Sequence, residues 1–351
     1  MRRTMNFSSD NAVGAHPRVL EALAAANDGA AAGYGADDWT AAVDARLAEI
    51  FEREITVFEV ATGSAANGLA LAALVPPYGR IYCHEASHIQ LDECSAPEFF
   101  TGGAKLVPLP GADGKLSAKT LAASLAAFPA RPPHSAPASV LSLTQASEYG
   151  TLYSLDETGA LADIAKAAGM AVHMDGARFS NALAALGRSP AEATWKAGVD
   201  VLCLGATKNG CMAAEVVIFF DPDQAGDFAY RRKRAGHLWS KSRFLSAQLD
   251  AWLQGDLWLD LARHANAAAA RLAGVLDRAG VAVPIRTKIN EVFALLDPSA
   301  AAALQSRGAQ FYPWVCPGDA YAGRLHRFVT SWATANEEID AFADVLSSVI
   351  G

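Results

Sequence analysis

Between residues 55 and 221 the chain returns again and again to short apolar runs, and this recurrence limits its fold more than any other feature. The runs are ITVFEVA, GRIYCH, AKLVPLP, ASVLSLT, MAVHMD, DVLCLGA and EVVIFFD. Each has strand length, and most are bounded by turn residues. Ala/Leu-rich segments of helical spacing, such as SAANGLALAALV and ETGALADIAKAAG, lie between most of them. The second of these opens with Ser154 and Glu157 at capping-box spacing and closes with Lys166 ahead of Gly169. Apolar strands alternating with helices predict an α/β fold whose mostly parallel sheet is covered on both faces. The Pro-rich stretch AAFPARPPHSAPAS, residues 126–139, is expected on the surface.

After about residue 225 the pattern changes. Helical spacing dominates from roughly 243 to 279, followed by VAVPIRT, EVFALLD, a further helix, RLHRFVTSW and a terminal helix opened by Thr334 and Glu337. This reads as a smaller α+β unit of residues 246–351 behind a large α/β domain of residues 21–245. With 351 residues, 52% of them hydrophobic, the chain has enough apolar surface for such a core. A net charge of -8 argues against a nucleic-acid surface, and the basic run YRRKRAGHLWSK is too short to reverse that. The polar SSDN follows MRRTMNF where a leader would need an apolar stretch, and no run has membrane-spanning length. Five scattered cysteines, an odd number, suggest reduced thiols, so a cytoplasmic protein is expected.

In a sheet of this kind ligands gather beyond the carboxyl ends of the strands. After ITVFEVA comes TGSAANGLALA, either an ordinary strand-to-helix turn capped by Thr62 or Ser64, or an anion site built from free amides and the helix dipole. After GRIYCH comes EASHIQLDE. There His88 is a capping histidine, an aromatic stacker or, with His84, part of a metal pair, although no HExxH pattern supports a metal. Asp175 ends MAVHMD and needs a cationic partner, since a carboxylate buried there is costly alone. Arg178 would make that pair purely structural; a protonated ring nitrogen would make it functional. Lys208 stands at the mouth of DVLCLGA, as a solvated loop lysine or as an amine that holds an aldehyde in a Schiff base. A phosphate turn, a stacker, a strand-end acid and a strand-end lysine occupy successive ends of one sheet. Together they describe pyridoxal 5'-phosphate.

The segments FSSDN, GYGADD, ATGSAAN, ASH, HMDGARFSNAL and TKNG resemble the low-specificity threonine aldolases, fold-type I pyridoxal phosphate enzymes. The likeness covers almost the whole chain. Its most specific part is the Asp-Gly-Ala-Arg motif followed by a lysine 33 residues later (208 minus 175). APEFF, AGVDVLC and TKNG place it nearest the phenylserine aldolase-like branch. The resemblance implies that Lys208 bonds the cofactor aldehyde, Asp175 pairs with the ring nitrogen, His88 stacks on the ring, and Gly63 and Ser64 hold the phosphate. It further implies that Arg178 lies near the phenolic oxygen or the substrate carboxylate, which Arg327 clamps with help from Ser9. Residues 1–20 would thereby contribute to the active site. Tyr34 and the 231–243 segment would reach a site shared between subunits of a homodimer or homotetramer. The implied reaction is retro-aldol cleavage of threonine-like or phenylserine-like amino acids to glycine and an aldehyde.

The chain departs from the family where QASEYGT replaces a Thr-His-Asn-Gly-like loop, which puts Glu148 in place of a histidine. The base that takes the hydroxyl proton is therefore Glu148, His88 or a water between them. Ser240 stands where other members carry an arginine near the phosphate, and the adjacent Lys241 is the substitute. The rival readings are β-elimination or transamination with the same cofactor, a metal-dependent hydrolase using His84, His88, His173 and Asp175, and a binding protein with a degenerate site.

Overall fold

The computed structural model describes residues 5–316 and 320–350; the charged start of the chain, residues 1–4, and Pro317, Gly318, Asp319 and Gly351 lie outside them. The strands are β1 (Met5–Asn6), β2 (Thr56–Val60), β3 (Arg80–His84), β4 (Lys105–Leu109), β5 (Ala138–Thr144), β6 (Ala171–Gly176), β7 (Val201–Gly205), β8 (Glu215–Phe219), β9 (Glu291–Leu295), β10 (Ala309–Gln310), β11 (Tyr312–Pro313) and β12 (Leu325–Val329). The seven apolar runs become one sheet in the order β2-β8-β7-β6-β5-β3-β4. β8 runs antiparallel to both neighbours and the other pairings are parallel. Pro108, which has no amide to donate, sits on the edge strand β4, where its loss is tolerated.

Period-two alternation sorts the side chains of these strands between two cores. On β7, Val201 and Cys203 face the helix Gly63–Leu74 and pack with its Ala65, Ala66, Leu69 and Ala70. Leu202 and Leu204 face the opposite layer, with Trp252, Trp258 and Leu161. Full burial of each such large side chain stabilises the fold by about 1.5–3 kcal/mol. The helix Gly63–Leu74 lies close to its neighbour Ala96–Thr101: a Cβ at Gly68 would come within 2.8 Å of Phe100 Cδ2.

The second unit is a three-stranded antiparallel sheet, β11-β12-β9, packed on helices Leu257–Arg278 and Asn336–Ile350. β1 pairs with β10, and Phe7 is buried among Leu272, Phe328 and Phe342, so the N-terminal segment rides on this smaller unit. The long helix serves both cores: Leu257, Trp258 and Leu261 belong to the larger, and Ala268, Leu272 and Leu276 to the smaller. Two local expectations change. VAVPIRT makes only one bridge, Ile285 to Phe293, because Pro284 interrupts it. Thr334 does not open the last helix; its hydroxyl accepts the Ser331 amide at 2.8 Å.

Candidate active site

Lys208 follows β7 on a single turn, Thr207–Asn209, closed by Gly210 with φ 103°. Two buried tryptophans fix this turn. Asn209 Nδ2 donates to the Trp258 carbonyl at 2.7 Å, and Trp252 Nε1 donates to the Asn209 carbonyl at 2.9 Å. The preceding glycine is needed because the strand end passes the Asp-Gly-Ala loop closely: a Cβ at Gly205 would lie 2.6 Å from the Ala177 carbonyl oxygen. Lys208 enters a cavity of about 240 Å³ together with Asn11, Gly63, Ser64, His88 and Asp175. Its charge is felt by Asp10, Glu215 and His88. Glu215 also lines this cavity, where burial pushes its carboxyl up to about 7.

Gly63 opens the helix Gly63–Leu74, and Thr62 caps it by accepting the Ala65 amide at 3.3 Å. The first amides of a helix have no partner within it and point at whatever occupies the cavity. Across the cavity Asp175 is 4% exposed. Its Oδ1 accepts the Ala177 amide at 3.0 Å and its Oδ2 accepts from Asn67 Nδ2 at 3.0 Å. Asn67 Nδ2 also donates to Glu93 Oε1 at 2.8 Å, and the same oxygen lies 2.8 Å from His88 Nδ1.

Arg178 does not neutralise Asp175. It turns to Asp10, with Nε 2.7 Å from Oδ2 and Nη2 3.1 Å from Oδ1, while Nη1 lies 3.4 Å from Glu291 Oε1. Burial pushes the Asp10 carboxyl up, but the Arg178 and Lys208 charges outweigh it and hold the group below its ordinary value. Asn290 Nδ2 adds a bond to Asp10 at 3.0 Å. Arg327 reaches the same Glu291 oxygen at 3.4 Å and lies 4.2 Å above the Trp314 ring. Its Nε and Glu291 Oε2 are buried without partners among the described residues. Ser9, next to Asp10 in the chain, caps the turn Asp10–Ala12, its hydroxyl accepting the Asn11 amide at 3.1 Å.

The remaining site residues fall into two sets. Glu148 is nearly buried, and its charge acts on His88, Arg178 and Glu291. Tyr34 and Lys241 lie outside this cavity on an exposed face, where the Tyr34 amide donates to the Ser240 carbonyl at 3.2 Å and Lys233 covers the Tyr34 ring. The metal-hydrolase alternative loses its ligands. His84 bonds the Ala86 amide and the Gly111 carbonyl, and His173 lies between Ser142 and Cys203. With both ring nitrogens engaged, neither has a lone pair aimed at a shared ion.

A family model described as beta-eliminating lyase matches residues 6–299. The chain belongs to this family. It is 44% identical over 349 residues to a low specificity L-threonine aldolase of Pseudomonas aeruginosa, covering 99% of each chain. It is 40% identical, with the same coverage, to a protein of that name from another Pseudomonas. Its fold superposes on a Leishmania major threonine aldolase with a TM-score of 0.91 at 27% identity, again over 99% of each chain.

Sequence reasoning missed Asn67, Glu93, Asp10 and Glu291 in this lyase. Asn67 stands one helical turn after Gly63, so helical spacing was an available signal for it, whereas Glu93 lies beyond the short helix His88–Leu91 and had no such signal. Asp10 and Glu291 had none, because their partners lie 168 and 36 residues away along the chain.

Proposed function

We propose that this lyase cleaves β-hydroxy-α-amino acids such as L-threonine, L-allo-threonine and phenylserine to glycine and an aldehyde, with pyridoxal 5'-phosphate as cofactor. One observation carries the reading. A buried carboxylate, Asp175, and an amine, Lys208, converge on one cavity, and the arginine that would have neutralised Asp175 is committed elsewhere. The cavity fits the group by its chemistry: amides of Gly63 and Ser64 for a phosphate, the His88 imidazole for a flat ring, Asp175 for a protonated ring nitrogen and Lys208 for an aldehyde. When bound, the cofactor supplies an electron sink for a bond at the amino acid's Cα.

The chain's own residues bind, orient and move protons. Arg327, with an unpaired Nε beside Glu291, grips the α-carboxylate; a guanidinium suits this two-oxygen target better than an ammonium group. Arg178, locked to Asp10, presents a fixed charge beside it, and Ser9 stands next to Asp10 in the chain. This grip selects which bond at Cα stands ready to break, a task of orientation. His88 and Glu148 are the groups near the hydroxyl that can take its proton. Tyr34 and Lys241 serve the cavity of a second copy, in a homodimer or a tetramer built from two dimers. Among the described residues no helix is long and apolar enough to cross a membrane. Buried Cys83, Cys203 and Cys211 support a place in the reducing cytoplasm.

The test is the visible spectrum of the wild type and Lys208→Ala, with product analysis on phenylserine. The wild type is expected to be yellow and to release benzaldehyde and glycine; Lys208→Ala lacks the wild-type band and loses about 10³-fold or more in rate. A yellow protein that yields a keto acid and ammonia instead would favour β-elimination, and a protein that stays colourless with added cofactor would sink both readings.

A further inference from the structure

The buried chain running from Asp175 to His88 has a polarity that the aldol reading does not require. Asn67 has two hydrogens on Nδ2 and donates to two carboxylates, Asp175 at 3.0 Å and Glu93 at 2.8 Å. The Glu93 side chain is wholly buried and its Oε1, already accepting from Asn67, lies 2.8 Å from His88 Nδ1. Burial raises the Glu93 carboxyl above its ordinary value against the bonds from His88 and Asn67 that lower it. In its ionised form it only accepts hydrogen bonds, and the hydrogen between these two atoms then belongs to Nδ1. His88 lines the cavity, and with Nδ1 committed, Nε2 is the nitrogen left to face it. Glu148, by contrast, has no positioning carboxylate or amide bonded to it among the described residues.

We propose that Glu93 is a positioning residue that fixes His88 with its proton on Nδ1, which makes His88 Nε2, rather than Glu148, the acceptor of the substrate's β-hydroxyl proton. The proposal rests on the aldol reading. In the step, Nε2 takes the hydroxyl proton and the O–H electron pair becomes the second bond of the aldehyde carbonyl. The Cα–Cβ pair stays with Cα, where a proton completes glycine. Glu93 balances the imidazolium so formed, as a buried carboxylate does behind any histidine base. The other charges facing His88 are Glu148 and Asp175, which favour its protonated form, and Lys208, which opposes it. The bond to Glu93 outweighs burial, so His88 holds its proton more tightly than an ordinary histidine.

Imidazole nitrogen NMR of the cofactor-loaded protein, beside the pH profile of kcat/KM, tests this. The wild type is expected to show Nδ1–H at His88 and to titrate above 6.5, its ordinary value. Glu93→Gln should move both that titration and the acid limb of kcat/KM to lower pH by about one unit, with kcat down about 10- to 100-fold and the cofactor band kept. Glu148→Gln, which removes only a more distant charge, should move the limb the same way but by less than Glu93→Gln does. A wild-type His88 with its proton on Nε2 would overturn the proposal, even were Glu93→Gln not to fold. So would Glu93→Gln leaving titration and limb unmoved, which would make Glu93 merely structural. Should no substrate release an aldehyde while the tautomer is as expected, the aldol step and the proton's source fail, but the hold of Glu93 on His88 stands.

Discussion

The cofactor cavity and the arginine cluster beside it are both buried and charged, yet they are assembled in different ways. Asp175 lies at the end of β6, and Lys208, Gly63 and His88 follow β7, β2 and β3 of the same sheet, so the topology that builds the sheet also brings them together. Asp10, Arg178, Glu291 and Arg327 come from the N-terminal segment, the large sheet's Asp-Gly-Ala-Arg loop and two strands of the smaller unit. The first group is a property of one sheet. The second exists only once the small unit, carrying the N-terminal segment, has docked. The difference teaches that the strand-end residues of the cavity are placed by the sheet itself, with only Asn11 among the described lining residues coming from the N-terminal segment, whereas the clamp reports on how the two units meet.

The sharpest way to break this contrast is Asp10→Asn. It leaves Arg178 buried with only Glu291 at 3.4 Å, and loss of one partner of a buried ion pair costs about 3–5 kcal/mol. Chemical denaturation should show that loss; a change below about 1 kcal/mol would mean that the clamp contributes nothing to docking. Arg327→Leu comes next. It should raise KM for the amino acid about 10- to 100-fold, the worth of a charge-assisted bond, and leave the cofactor spectrum unchanged. A lost cofactor band would show that the two regions are not separable.

The smallest expected effect lies away from both. Glu59 on β2 is buried, pushed up to about 8 by desolvation, and its Oε2 accepts from Ser246 Oγ at 2.8 Å. A carboxyl raised in the fold is most favourable when protonated, so stability falls as pH rises from about 4.5 through about 8. Glu59→Gln removes that loss. Its melting temperature should lie closest to the wild type's near pH 5 and exceed it increasingly towards pH 8.5, with activity retained. A gap that is equal at both pH values would place the effect in packing instead of ionisation.

Much of this molecule was legible because its instructions are local. The seven runs and the capping box at Ser154 follow from periodicity and backbone chemistry, and the structure keeps them. Strand ends then nominated Asp175 and Lys208. VAVPIRT misled because its composition suits a strand while Pro284 denies it a ladder.

What sequence alone determined, then, is the sheet, the faces of its strands and the residues at their ends, since a two-residue or 3.6-residue period is written in neighbouring positions. Only the tertiary structure decided which charge meets which. The nearest arginine to Asp175 in the chain is three residues away, and it pairs instead with Asp10, 168 residues distant. Asp10 held no such sign in its own neighbourhood, because the energy of a buried ion pair depends on distance and desolvation in space. Neither quantity is set until the small unit closes over the end of the sheet.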